Sequence, residues 1–185
     1  QEYMVFIYET IEGVTTQLTF FKIYSLKEDL YRLLPWKGEM HMHSNWSDGK
    51  QPPEIMYAYA RRAGMEFAAL TDHYSLQPHS SIREMMSSVK SGVKIFPGEE
   101  VHKKGQKMHI VSFGTKKSIS RMMMDQFDQI KEEAEFIAQQ HEPFPEDIDP
   151  LEYGLQRWVF DQIAQNEGIS ILAHPYWPHE KNSTY

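Results

Sequence analysis

The 185-residue chain contains no cysteine, which excludes a disulfide framework and every thiolate zinc site. It has no apolar run near the roughly 18 residues that a membrane span needs, and no stretch built like a secretory signal peptide. It also lacks a basic excess. Nineteen Lys and Arg face 26 Asp and Glu, a net charge of −7, which makes nucleic acid an unlikely partner. That balance omits metal ions, a few of which in one cleft would reverse the local field. The rest of the composition, 41% hydrophobic and 24% charged, fits one globular core, or one core with an appendage. It leaves compartment and oligomeric state open, with the cytoplasm as the default.

What is present divides near residue 35. Residues 1–24 alternate as β-structure does, "YMVFIYET" and then "VTTQLTFFKIY", across Glu12-Gly13, and predict a hairpin. "SLKEDLYRLL" follows, with leucines at helical spacing until Pro35 stops it. From Trp36 strands and helices alternate. "KGEMHMHS", "MEFAALTDH", "VKIFPGEEV", "KMHIVSFG" and "ISILAHP" read as strands. "PPEIMYAYARRAG", "HSSIREMMSSVKSG", "SISRMMMDQFDQIKEEAEFIAQQ" and "LEYGLQRWVFDQIAQNEG" read as helices, and "EPFPEDIDP" as an acidic loop. Repeated βα units predict a largely parallel sheet or barrel.

The histidines cluster by strand. His41 and His43 end the first strand of this region, His73 the second and His174 the last. Glu99 and Glu100 follow the third apolar run, and His109 sits in the fourth. Polar residues at the ends of several barrel strands converge on one mouth. Side chains at i and i+2 share a strand face, so His41 and His43 can grip one ion together. Ser47-Asp48-Gly49 turns a carboxylate back to the same rim. Each element alone has an ordinary explanation: a helix cap for "TDH", a packed histidine for "AHP", a solvated charge pair for Glu99-Glu100. Together at successive strand ends they predict a multinuclear divalent metal centre. Imidazoles mixed with carboxylates suit Zn, Mn or Fe better than Mg or Ca.

In order, "HMHSNWSDG", "ALTDH", "FPGEEV", "HIVSFG" and "AHP" make the stretch from Gly38 to Pro175 resemble the PHP (polymerase and histidinol phosphatase) family. The resemblance implies an α/β fold, a distorted (β/α)7 TIM-like barrel with up to three metal ions at its mouth. It divides the chain into 1–35, an accessory element or remnant of a preceding domain, and 36–185, the phosphoesterase domain. It implies His41 and His43 on one metal, bridged by Glu100 to a second that His109 and His174 complete, with Asp48 and His73 on a third. Asp48, His73 and Glu100 are the catalytic members of that set. The family's Gly-x-Glu pattern selects Glu100 over Glu99. The family usually ends in an Asp-x-His, which "PYWPHEKNSTY" after His174, with His179 and Glu180, does not reproduce. The expectation is therefore a barrel incomplete at its carboxyl end.

The implied activity is hydrolysis of a phosphoester in a small phosphorylated metabolite or nucleotide by a metal-activated hydroxide. A non-catalytic metal-binding module of a larger protein and an exonuclease of the same family are the alternatives. Other residues rank below these. Lys103, Lys104 and Lys107 read as a solvated turn, Tyr176 and Trp177 as packing or a stacking surface, and Arg61 and Arg62 as cations suited to a helix end. Met122, Met123 and Met124 read as core filling, and His79 and His102 as surface or supporting histidines.

Overall fold

Strand-forming residues around a Glu-Gly turn give the first 24 residues their shape. In the computed structural model, which describes residues 2–33, 35–86, 89, 92–102 and 108–175, β1 (Glu2–Ile11) and β2 (Val14–Tyr24) pair antiparallel. Glu12 and Gly13 both take positive φ, 50° and 83°, the two-residue turn whose twist matches the flanking strands. Phe6 and Phe20 face each other with ring centroids 5.9 Å apart. Helix α1 (Glu28–Tyr31) is one turn long, shorter than its leucine spacing predicts. It starts after Lys27, which makes no side-chain cap, rather than at Ser25. The chain divides into two compact units, Gln1–Trp36 and Lys37–Tyr185.

In the second unit β3 (Gly38–Met42), β4 (Phe67–Leu70) and β5 (Lys94–Phe96) form a parallel sheet. Helix α2 (Pro53–Arg62) and helix α3 (Gln77–Met86) make the crossovers. Pro97 then divides what reads in the sequence as one strand. β6 (Gly98–Val101) belongs to a second sheet with β7 (His109–Phe113) and β8 (Ile169–Ala173). That sheet is antiparallel throughout, so the expectation of a largely parallel sheet holds only for β3–β5. For β6 and β7 the reason is a connection too short for the crossover that a parallel pair needs; β7 and β8 pair antiparallel across a long helical segment that imposes no such limit. The two sheets meet at a parallel bridge between His73 and Glu100, and neither closes on itself among the described residues. The unit is an open, distorted α/β barrel.

Helices cover the outer faces. Tyr57, Ala60 and Ile82 of α2 and α3 pack on Met42, Ala68 and Leu70. Helices α4 (Ile119–Asp125), α5 (Phe127–Gln139) and α6 (Pro150–Gln165) pack on Val101 and Ile110. The single helix expected over α4 and α5 is interrupted at Gln126, whose φ of −130° and ψ of 27° leave the helical range. Asp149, at the end of the acidic loop, caps α6 by accepting from Leu151 and Glu152 backbone N–H groups. Of the three consecutive methionines, Met123 is buried in the core and Met124 is exposed.

The inner face explains where chemistry can occur. Pleating sends alternate residues inward. Phe67 and Ala69 of β4, Val111 and Phe113 of β7, and Ala173 of β8 pack together there. Phe67, Phe96 and Phe113 close this end with mutual edge and tilted ring contacts at 5.1–6.1 Å. Following the same pleat the other way, the inward positions become polar: His73 beyond β4, Glu100 on β6 and His109 on β7. The sheets thus enclose an apolar floor below a histidine-lined mouth. No helix among the described residues is long and apolar enough to cross a membrane.

Candidate metal centre

Glu100 is the hub of that mouth. It is buried, and its two carboxylate oxygens serve different partners. Oε2 lies 3.0 Å from both His41 Nε2 and His43 Nε2. Oε1 lies 2.8 Å from His109 Nδ1 and 3.0 Å from His174 Nε2. Burial pushes its pKa up, but hydrogen bonds from His109, His41 and His43 outweigh burial and hold it well below the usual carboxylate range. Glu100 is therefore ionised whenever the protein is folded near neutral pH.

The His41 and His43 nitrogens are themselves 3.1 Å apart, so with Glu100 Oε2 they form a near-equilateral triangle. Protons satisfy such a triangle poorly, because two imidazole N–H groups aimed at one oxygen also face each other. A cation accepts all three lone pairs. The edge of a tetrahedral zinc site with bonds of 2.0–2.1 Å is roughly 3.3 Å, close to the spacing here. The donor atoms of Glu100, His109 and His174, and those of His43, Asp48 and His73, form two looser groups, each within 4.8 Å. The donors, two carboxylates among imidazoles, fit Zn, Mn or Fe.

Local chain features aim each group. His41 and His43 share a face of β3 and its extension through strand pleat. His73 continues the inner row of β4. His174 directly follows the inward Ala173 and would face outward in a regular strand. Its φ of 29° breaks the alternation and returns its ring to Glu100, a conformation uncommon for a residue with a side chain. Asp48 is exposed at the rim, 3.1 Å from His43 Nδ1 and 3.6 Å from His73 Nε2. The turn that carries it closes by a Gly49 N–H bond to Ser44 C=O. A Cβ at Gly49 would lie 2.4 Å from the His43 carbonyl oxygen, so this approach requires glycine.

His43 and His73 sit in opposite fields. Burial lowers both, but the hydrogen bond to Glu100 and the charges of Asp48, Glu100 and Asp72 leave His43 above the ordinary imidazole value. For His73 burial prevails, assisted by His43 and His109, and its pKa is lowered.

Each of the seven side chains singled out in the sequence, His41, His43, Asp48, His73, Glu100, His109 and His174, lies in this one mouth. Glu99 does not. It is buried as well, so the pair is no solvated charge cluster. Its carboxylate faces α4, accepting from Ser118 Oγ at 2.7 Å and from the Ile119 and Ser120 backbone N–H groups.

Sequence reasoning passed over Asp72. Its buried carboxylate accepts from Ser44 N–H at 2.8 Å, Ser44 Oγ at 2.8 Å and Ser47 Oγ at 2.6 Å, pinning the turn that presents Asp48. Strand alternation held the available signal, since a residue next to an inward His73 must face away from it. His102 is also no surface residue. It contacts His73 and stacks on His109. His79 lies on α3, outside the cluster, with its Nδ1 buried and without a hydrogen-bond partner. Lys103, Lys104, Lys107, Tyr176, Trp177, His179 and Glu180 fall outside the described residues.

Comparison with known proteins identifies the family. The family model of the PHP domain matches residues 39–146, more than half of the chain. Six of the seven clustered residues lie inside that span, and His174 lies beyond it. Among solved structures, the chain is similar to a two-domain Bacteroides vulgatus protein containing a predicted PHP-like metal-dependent phosphoesterase. That match has 18% identity and a TM-score of 0.51, over 81% of this chain and 38% of that one. An amidohydrolase from Chromobacterium violaceum with bound sulfate and no metal matches at 18% identity and a TM-score of 0.46, over 75% of this chain and 67% of that one. The chain thus spans less than half the length of the two-domain structure. Among curated proteins, none matches it.

Proposed function

The chain belongs to the PHP domain family, and from that premise we propose that it hydrolyses a phosphoester of a small phosphorylated metabolite or nucleotide with up to three divalent ions. The observation that carries this reading is the division of Glu100, one oxygen toward His41 and His43 and the other toward His109 and His174. In this reading those five residues would hold two ions, and Asp48 and His73 would hold a third. Zinc, manganese or iron there supplies Lewis-acid activation of water and of phosphoryl oxygens.

The chain's own residues do the rest. Two carboxylates, Glu100 and Asp48, against three dications leave the mouth net positive, which draws in a phosphate group. Neutral imidazoles keep that charge from being cancelled. Asp72 fixes the Asp48 turn through Ser44 and Ser47. The phenylalanine floor lines the mouth from below with apolar side chains, a low-dielectric surface that would strengthen the electrostatics above.

The test is metal analysis of the purified protein combined with turnover of an aryl phosphate after zinc or manganese addition. Two or more bound ions and metal-dependent turnover that His43→Ala abolishes support the proposal. Bound metal without turnover of any phosphoester in the full-length natural protein overturns it in favour of a metal-binding module. Cleavage of single-stranded DNA without turnover of small phosphates overturns the substrate class.

A further inference from the structure

His73 has two ring nitrogens with different surroundings. Nε2 faces Asp48 at 3.6 Å. Nδ1 lies 2.9 Å from His102 Nε2, closer than its 3.5 Å to Glu100 Oε2, and the two imidazole rings stand nearly perpendicular at 83°. On its other edge, His102 Nδ1 lies 3.2 Å from the Tyr74 hydroxyl. Three side chains therefore form one line from the metal mouth to the surface.

Proximity alone also groups His73, His102 and His109 as a further ligand triad. Ring orientation argues against it. His102 and His109 stack with centroids 3.8 Å apart and planes only 13° from parallel. Imidazole lone pairs lie in the ring plane, so one ion cannot sit in both of these planes at bonding distance. The stack holds His102 in place while its Nε2 is aimed at His73.

We infer that Tyr74 and His102 are a positioning pair that fixes which nitrogen His73 turns to the metal centre. His73 Nδ1–H donates to His102 Nε2. His102 then carries its proton on Nδ1 and donates it to the Tyr74 oxygen. This arrangement leaves His73 Nε2 unprotonated and facing Asp48, and it restrains the rotation of the His73 ring. A ligand histidine whose second nitrogen is bonded in this way is both oriented and made more basic. Backbone geometry supports a purpose for the pair. Tyr74 takes a φ of 63°, a cost for a bulky residue, and this turn lays its ring against those of both His73 and His102.

The inference rests on the reading of His73 as a metal-holding residue, and the test separates the two. Zinc affinity and the number of bound ions are measured by calorimetry and metal analysis for wild type, His73→Ala, His102→Phe, His102→Gln and Tyr74→Phe. His102→Phe keeps the stack on His109 but removes the acceptor. It is expected to weaken one zinc ion by about 10- to 100-fold with the count at saturation unchanged. His102→Gln, whose amide oxygen can accept from His73, restores most of that loss, and Tyr74→Phe gives a smaller one. Unchanged zinc affinity in His102→Phe overturns the inference, and so does outright loss of an ion, which would make His102 a ligand. Unchanged affinity and count in His73→Ala overturns the reading of His73 instead. Should His102→Phe fail to fold, nitrogen-15 spectra of wild-type zinc protein decide. A His73 ring protonated on Nδ1 supports the inference, and one protonated on Nε2 overturns it.

Discussion

Glu99 and Glu100 are adjacent in β6, are exposed by 0% and 1%, and work on opposite sides of it. Glu100 meets four imidazoles within 3.0 Å at the mouth, while Glu99 caps the first turn of α4. Burial raises the pKa of Glu99 even against the bonds from Ser118, Ile119 and Ser120, whereas Glu100 is held low.

Substitution should separate the two roles. Glu100→Gln is expected to lose bound metal and turnover while remaining folded. Glu99→Ala leaves buried N–H groups at the start of α4 without an acceptor and should cost about 1–3 kcal/mol, with metal content unchanged in the folded fraction. Metal analysis and denaturant unfolding on both variants provide the check. Equal metal loss in the two would remove the distinction.

Asp72 supports Asp48 from behind. Asp72→Ala strands the Ser44 N–H and two hydroxyls, and is expected to destabilise by about 1–3 kcal/mol. Release of the Asp48 turn should also reduce metal affinity or turnover by about 10- to 100-fold. Steady-state kinetics at saturating metal, beside a thermal melt, show whether both effects occur. Full activity in a merely less stable variant would count against a supporting role.

Helices α5 and α6 touch through a glycine. A Cβ at Gly154 would lie 2.0 Å from the Ala134 carbonyl oxygen, and backbone on both sides cannot yield without separating the helices. Gly154→Ala should cost about 1–3 kcal/mol or more, read from the urea midpoint. A midpoint equal to wild type would rule out this contact.

His79 sets a pH dependence away from the candidate metal centre. Burial, with Arg83 nearby, lowers its pKa despite a backbone hydrogen bond with Phe96. The unfolded chain therefore takes up this proton first. The contribution of His79 is complete above the ordinary value of 6.5 and declines as pH falls from there through the lowered folded pKa. Urea unfolding at pH 7.5, 6.5 and 5.5 should show wild type losing stability faster than His79→Gln, by at most about 1.4 kcal/mol per pH unit for one proton. Parallel losses in the two proteins would contradict this assignment.

Much of the architecture was legible because it depends on near neighbours along the chain. Glu12-Gly13 makes a tight turn wherever two strand-forming runs flank it. His41 and His43 must share a face because strand side chains alternate. Pro53 and Gly64 bracket a helix for reasons internal to their own backbones. The convergence of histidines from four strand regions and a glutamate from another was also legible, since a barrel gathers its strand ends at one mouth.

What the chain order could not show was decided by contacts between distant segments. Pro97 and the short β6–β7 connection act locally, but nothing local assigns β6 to a second sheet or sets β8 antiparallel to β7; pairing between distant segments does that. The left-handed turn at His174 follows from where Glu100 lies, 74 residues away. The cap of Glu99 on α4, the grip of Asp72 on Ser44 and Ser47, and the line from His73 through His102 to Tyr74 each join residues brought together by burial. Unpaired polar groups in such places are costly, so packing, rather than sequence spacing, determined their partners.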